Sequence, residues 1–135
     1  MAATLQLEVV SPERLLVSEQ VEMVVVPGTE GYFGVLPQHM LLLSTLRPGV
    51  IDVYSGNQVT ERYFVTGGFA EVSGTGCTVL VDEALPVSKL TKTFVAERAA
   101  KAKAALEAAS TDEERRRAAE TVAHVQVMET FAVAA

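Results

Sequence analysis

The feature that most constrains this chain is a change of hydrophobic period at Pro86. Before it, apolar residues recur every second position or in short β-branched runs. After it, they recur every three to four. "LQLEV" alternates, with Leu5, Leu7 and Val9 on one side and Gln6 and Glu8 on the other. "VEMVVV", "VIDVY", "ERYFVT" and "CTVLVD" are strand-length runs bounded by Gly, Pro, Asn or Ser. "SGNQ" (Ser55 to Gln58) and "SGTG" (Ser73 to Gly76) carry the glycines that hairpin turns with positive φ require. Met23 to Val26, apolar at every position, is expected to lie between layers. Short strands at regular spacing predict an antiparallel β-sandwich over residues 1–86.

From residue 87 the pattern is helical. Val95, Ala99, Ala102 and Leu106 fall on one stripe, and Ala118, Val122, Val125, Met128 and Ala132 on a second. "STDEE" separates them, and Thr111 with Glu114 three residues later has the form of a capping box. Two helices joined by so short a link predict an antiparallel α-helical hairpin over 87–135. Its apolar faces are thin: Phe94 to Ala135 holds fourteen alanines and nine larger apolar residues. Alanine favours helix but buries little area. That profile suits an arm that moves between docking surfaces, and it equally suits a static hairpin.

At 135 residues, 49% of them hydrophobic, the chain can build a sizeable core. The net charge of −6 argues against nucleic-acid binding. It is unevenly placed, with −7 on residues 1–86 and +1 on 87–135. No stretch approaches the ~18–20 apolar residues of a membrane span. "MAATLQLEVV" has neither a basic signal-peptide start nor an Arg-rich presequence, so a cytoplasmic location is expected.

The stretch "PGTEGYFGVLPQHM" (Pro27 to Met40) is the densest in special residues. Its glycines are followed by Pro37 rather than by Gly-Lys-Ser/Thr or a helix, so the phosphate-loop reading fails. The sequence predicts an ordered, non-catalytic loop with Tyr32 and Phe33 as aromatic anchors for a partner. Cys77 paired with His39 offers a small cytoplasmic enzyme as the alternative, but "GCTVLV" reads as a strand in which a thiol is a small hydrophobe. A freestanding ligand sensor is a third reading, and no pocket for it is legible. His39 and His124 are too far apart in sequence, with no acidic cluster nearby, to suggest a metal site. "EERRR" (Glu113 to Arg117) reads first as a solvated helix face and second as a docking patch for acidic loops. No cofactor is expected.

"VVSPERLLVSEQVEMVVVPGTEGYFGVLPQHMLLLSTLRPGVI", "VTGGFAEV" and "CTVLVDEA", followed by a helical hairpin, closely resemble the epsilon-subunit family of F-type ATP synthases. The resemblance covers nearly the whole chain in the family's order. It implies a non-catalytic part of the central rotor stalk, peripheral to the membrane. The sandwich would bind the gamma subunit and stand on the c-ring, through Glu30, Gly31 and Tyr32 with His39 nearby. The hairpin would fold down or extend toward the catalytic alpha and beta subunits to inhibit hydrolysis, Arg115, Arg116 and Arg117 meeting acidic loops there. The missing presequence favours a bacterial member. Some bacterial relatives bind ATP through a motif from Ile/Leu-Asp to Arg-Ala. Here that run is Phe94, Val95, Ala96, Glu97, Arg98, Ala99, with valine where the aspartate would be, so weak or no ATP binding is expected. "METFAVAA" is apolar and no Lys or Arg follows Arg117, which implies feeble inhibition if a basic tip is needed.

Overall fold

The computed structural model describes residues 3–37 and 41–132. The chain divides into two compact units, Met1–Pro86 and Val87–Ala135. The first holds ten strands: β1 Leu5–Val10, β2 Leu15–Val21, β3 Met23–Gly28, β4 Gly31–Val35, β5 Leu42–Leu46, β6 Gly49–Ser55, β7 Gln58–Val65, β8 Gly68–Val72, β9 Gly76–Val81 and β10 Ala84–Pro86.

Hydrogen bonding orders them β10-β7-β6-β3-β5-β8-β9-β1-β2, with β4 on the other side of β3. The junction between β3 and β5 is the single pair Gly28↔Leu46. Around that hinge the strands form two layers of five, β4-β3-β6-β7-β10 and β5-β8-β9-β1-β2. The pairings are antiparallel except β1 with β9, which run parallel. The predicted β-sandwich is therefore present, with one parallel pair inside it.

One core fills the sandwich. Leu5, Leu7 and Val9 from β1 meet Val24 and Val26 from β3, Ile51 and Val53 from β6, and Val79 and Val81 from β9. Period-2 alternation puts these side chains on one face of each strand. In β3 the all-apolar run behaves as expected only in part: Val24 and Val26 are fully buried, while Met23 and Val25 are half-buried.

Two further expectations need correction. The Pro27 to Met40 stretch is no simple loop, because Pro27 and Gly28 end β3 and residues 31–35 form β4. Of the two turns read from glycine, Ser55 to Gln58 has Gly56 at φ +62, whereas Gly74 is not among the positive-φ glycines. There the backbone closes through Ser73 N–H donating to Gly76 C=O at 2.8 Å.

The second unit holds α1 Lys92–Ala108 and α2 Asp112–Thr130, preceded by a 3-10 turn at Val87–Lys89. The helices pack against each other. Val95 and Ala102 are buried on α1, and Ala118, Val125 and Met128 on α2, all on the predicted stripes. Each helix starts at a threonine cap: Phe94 N–H donates to Thr91 Oγ1 and Glu114 N–H to Thr111 Oγ1, both at 3.1 Å. Glu114 reaches back one residue further than a capping box requires, accepting from Ser110 N–H at 2.9 Å and Ser110 Oγ at 3.2 Å. No helix among the described residues is long and apolar enough to cross a membrane.

Candidate functional site

The β3–β4 hairpin turns through Thr29 and Glu30, closed by the pair Gly28↔Gly31. Gly31 at φ +138 lets the backbone leave the turn. The turn is tied to β5 by Thr29 N–H donating to Thr45 C=O at 3.1 Å and by a 3.0 Å contact between the two threonine hydroxyls. Glu30 is exposed at its tip.

Tyr32 is 46% exposed, yet fixed at both ends. Its hydroxyl oxygen accepts from Val50 N–H at 3.4 Å, and the Arg47 guanidinium lies 5.3 Å from its ring centroid. A half-exposed aromatic held in one orientation is suited to a partner contact, since little freedom remains to be lost on binding. Phe33 does not share that role: it packs against the sandwich core. Of the predicted pair, one aromatic is therefore exposed and the other belongs to the core, as strand alternation demands. Thr29, Glu30 and Tyr32 face Leu42 and Leu43 across a shallow groove of about 500 Å³. Leu36, Leu41 and Leu43 beside it are exposed. His39 lies outside the described residues.

A second surface was not legible in the sequence. On the outer face of the β5-β8-β9-β1-β2 layer, register sets Thr45 beside Phe69, Phe69 beside Leu80, Leu80 beside Val10 and Val10 beside Leu15. Phe69, Leu80 and Leu15 are 49%, 46% and 52% exposed. The next row of the same face runs Leu43, Glu71, Thr78, Glu8. An apolar stripe crossing four strands, bordered by Glu71 and Glu8, is the kind of surface that marks a protein interface. Its only sequence signal is that "VLV" and "GFAEV" carry apolar residues on both faces.

The remaining sequence candidates are spread out. Cys77 is buried on β9, and burial pushes its thiol up to about 11. A thiol so held is protonated at neutral pH and is no nucleophile. His124 is half-buried on α2. Arg115 pairs with Asp112 at 3.2 Å and Arg117 with Glu113 at 2.9 Å, leaving Arg116 with no ion pair among the described residues. On α1, Val95 is buried, Arg98 lies 5.5 Å above the Phe94 ring, and Ala99 is half-buried. No cluster of three or more His, Cys, Asp or Glu among the described residues could hold a metal ion.

Comparison with known proteins agrees with this geometry. The family model described as "ATP synthase, Delta/Epsilon chain, beta-sandwich domain" matches residues 4–87. The chain is 51% identical over 128 residues to the ATP synthase epsilon chain of Rhodospirillum rubrum, covering 95% of this chain and 96% of that one. It is 47% identical to the Sinorhizobium medicae epsilon chain, covering 93% of this chain and 92% of the relative. Among solved structures, a chain of the Euglena gracilis mitochondrial ATP synthase OSCP/F1/c-ring assembly superposes with a TM-score of 0.74 at 25% identity, covering 95% of this chain and 81% of that one. A chain of the Tetrahymena thermophila central stalk/c-ring structure gives 0.67 at 12% identity over 96% of both, a likeness of fold. The chain belongs to the ATP synthase epsilon family.

Proposed function

We propose that this chain is a non-catalytic rotor-stalk subunit that couples proton flow through the c-ring to ATP synthesis in the catalytic head. The observation that carries the proposal is the apolar stripe of Phe69, Leu80, Val10 and Leu15. Its Phe69, Leu80 and Leu15 are each about half exposed, and it lies on the sandwich that the family model matches. On this reading the stripe receives the gamma subunit, and the Glu30–Tyr32 hairpin stands on the c-ring, with Arg47 holding Tyr32 in place. His39 is assigned to the same foot by resemblance alone. The subunit would be peripheral, on the cytoplasmic face of the bacterial inner membrane.

The hairpin of α1 and α2 is the regulatory arm of this proposal, and its contact with the alpha and beta subunits would run mainly through Arg116. Arg115 and Arg117 already have intrahelical partners, although such exposed pairs are worth little and exchange readily. If inhibition of hydrolysis needs a basic tip on the second helix, it would be weak here, since residues 118–135 hold no Lys or Arg. The end of that apolar tail, residues 133–135, lies outside the described residues. On this reading ATP binds weakly or not at all at Phe94, Val95, Arg98 and Ala99, since Val95 is buried in packing and Arg98 lies over the Phe94 ring.

Reconstitution of an epsilon-depleted synthase in vesicles tests the coupling role. Adding the chain should restore ATP-driven proton pumping, while the chain alone hydrolyses nothing. Equal pumping with and without it would remove the proposal. Charge reversal of Arg115, Arg116 and Arg117 should raise hydrolysis by the assembled complex, and unchanged hydrolysis would remove the regulatory contact.

A further inference from the structure

On edge strand β2 the positions opposite Val9, Leu7 and Leu5 are Val17, Glu19 and Val21. A carboxyl therefore occupies a core-facing position of the pleat. β7 repeats the anomaly, since Glu61 and Tyr63 stand opposite the core residues Val53 and Ile51 of β6. The two anomalies meet. Glu19 and Val21 share a cleft of about 90 Å³ with Val53, Thr60 and Glu61. Among the described residues no backbone pairing joins β2 to the β6–β7 hairpin, so side chains close this seam.

The Tyr63 hydroxyl donates to Glu61 Oε2. Glu19 lines the same small cleft as Glu61, and its Oε1 is buried without a partner. Facing the pair are Tyr63 from β7, Tyr54 from β6 and Glu22 from the β2–β3 link, whose Oε1 accepts from Gly56 N–H at 2.5 Å. β1 contributes only Leu5, Leu7 and Val9. No lysine or arginine lines the cleft, and Arg62 on the opposite face of β7 pairs with Asp52 at 2.7 Å.

We propose that Glu19 and Glu61 form a proton-dependent clasp, in which a protonated Glu19 donates to the Glu61 carboxylate and holds edge strand β2 against the β6–β7 hairpin. Two carboxyls that share a small cleft lined by no lysine or arginine do not readily ionise together. Because Glu61 already accepts from Tyr63, Glu19 is the member placed to donate. Burial first, then the hydrogen bond and charge of Glu61, raise Glu19 above its ordinary value of 4.5. Burial and Glu61 likewise raise the Tyr63 phenol, which stays a donor. The folded state thus binds a proton that the unfolded chain releases above 4.5. The clasp's contribution is full below that pH and is lost as pH rises through the native titration of Glu19.

The test uses the full chain and its Glu19→Gln and Glu61→Gln variants. Thermal unfolding is followed from about pH 4 to about pH 9, with the carboxyl carbon of Glu19 observed by NMR. The unfolding midpoint of Glu19→Gln should gain on wild type by about 3 °C across that range. The wild-type Glu19 signal should titrate above the ordinary value of 4.5 and shift to lower pH in Glu61→Gln. A midpoint difference that is constant with pH, or a Glu19 signal that titrates at or below 4.5, overturns the clasp. If Glu19→Gln fails to fold, the wild-type titration decides alone.

Discussion

Phe69→Ala is the perturbation that most sharply separates a docking face from an ordinary sheet surface. Phe69 is the largest side chain of the stripe, between Thr45 and Leu80, and is 49% exposed. A phenylalanine side chain carries on the order of 200 Å² of surface, so about 100 Å² waits to be covered. At about 25 cal/mol per Å², complete burial would contribute about 2.5 kcal/mol. Association recovers less than the full area term, because ordering and imperfect contacts oppose it. The expected loss on truncation is therefore about 1.5–2.5 kcal/mol, or about 10- to 70-fold in affinity. The assay is titration of the labelled chain onto an alpha–beta–gamma particle lacking it, with circular dichroism to verify folding. Val59, 41% exposed on β7 and off the stripe, supplies the control. Val59→Ala should stay within about twofold of wild type, as peripheral contacts usually do. A folded Phe69→Ala that binds as tightly as wild type would refute the assignment of this face.

Other consequences follow from single positions. Gly68 has φ +140, and a Cβ built there would lie 1.9 Å from the Leu80 carbonyl oxygen, so Gly68→Ala should cost about 3 kcal/mol or more in urea unfolding. Thr111→Ala should cost about 1 kcal/mol and speed amide exchange in the first turn of α2. The Ser110 N–H and hydroxyl hold the Glu114 carboxyl below its ordinary value, so its support for the cap is present above 4.5 and lost as pH falls. First-turn exchange should accordingly rise in acid more steeply for wild type than for Glu114→Gln. Cys77 should resist alkylation until the protein is unfolded, and Cys77→Ala should cost about 1 kcal/mol while assembly survives. Rapid labelling of the native thiol would contradict its place in the core.

What the sequence displays well is whatever period and local chemistry encode. The alternation of Leu5, Leu7 and Val9, the helical stripes through Val95 and Val125, and the Thr111 cap are each visible within a few residues. The α1 cap at Thr91 carries no such signal, because no acidic residue follows it in the first turn. β4 was hidden because Gly31 and Gly34 dilute its pattern, so Tyr32 and Phe33 appeared equivalent until the pleat sent them to opposite faces. The outer stripe could not be read at all. Val10, Leu15, Phe69 and Leu80 become neighbours only through the register of four strands, one of them joined in parallel. The Glu19–Glu61 pair depends on the same long-range closure, forty-two positions apart in the chain.

The most direct examination of the rotor proposal is site-specific cross-linking from two positions, with a photoreactive group at Glu30 and another at Leu80, in the assembled membrane-bound synthase. The account predicts that Glu30 captures a c-ring subunit and Leu80 captures gamma, each as the dominant product. Capture of neither, with the chain present in the complex, or an exchange of the two partners, would contradict it.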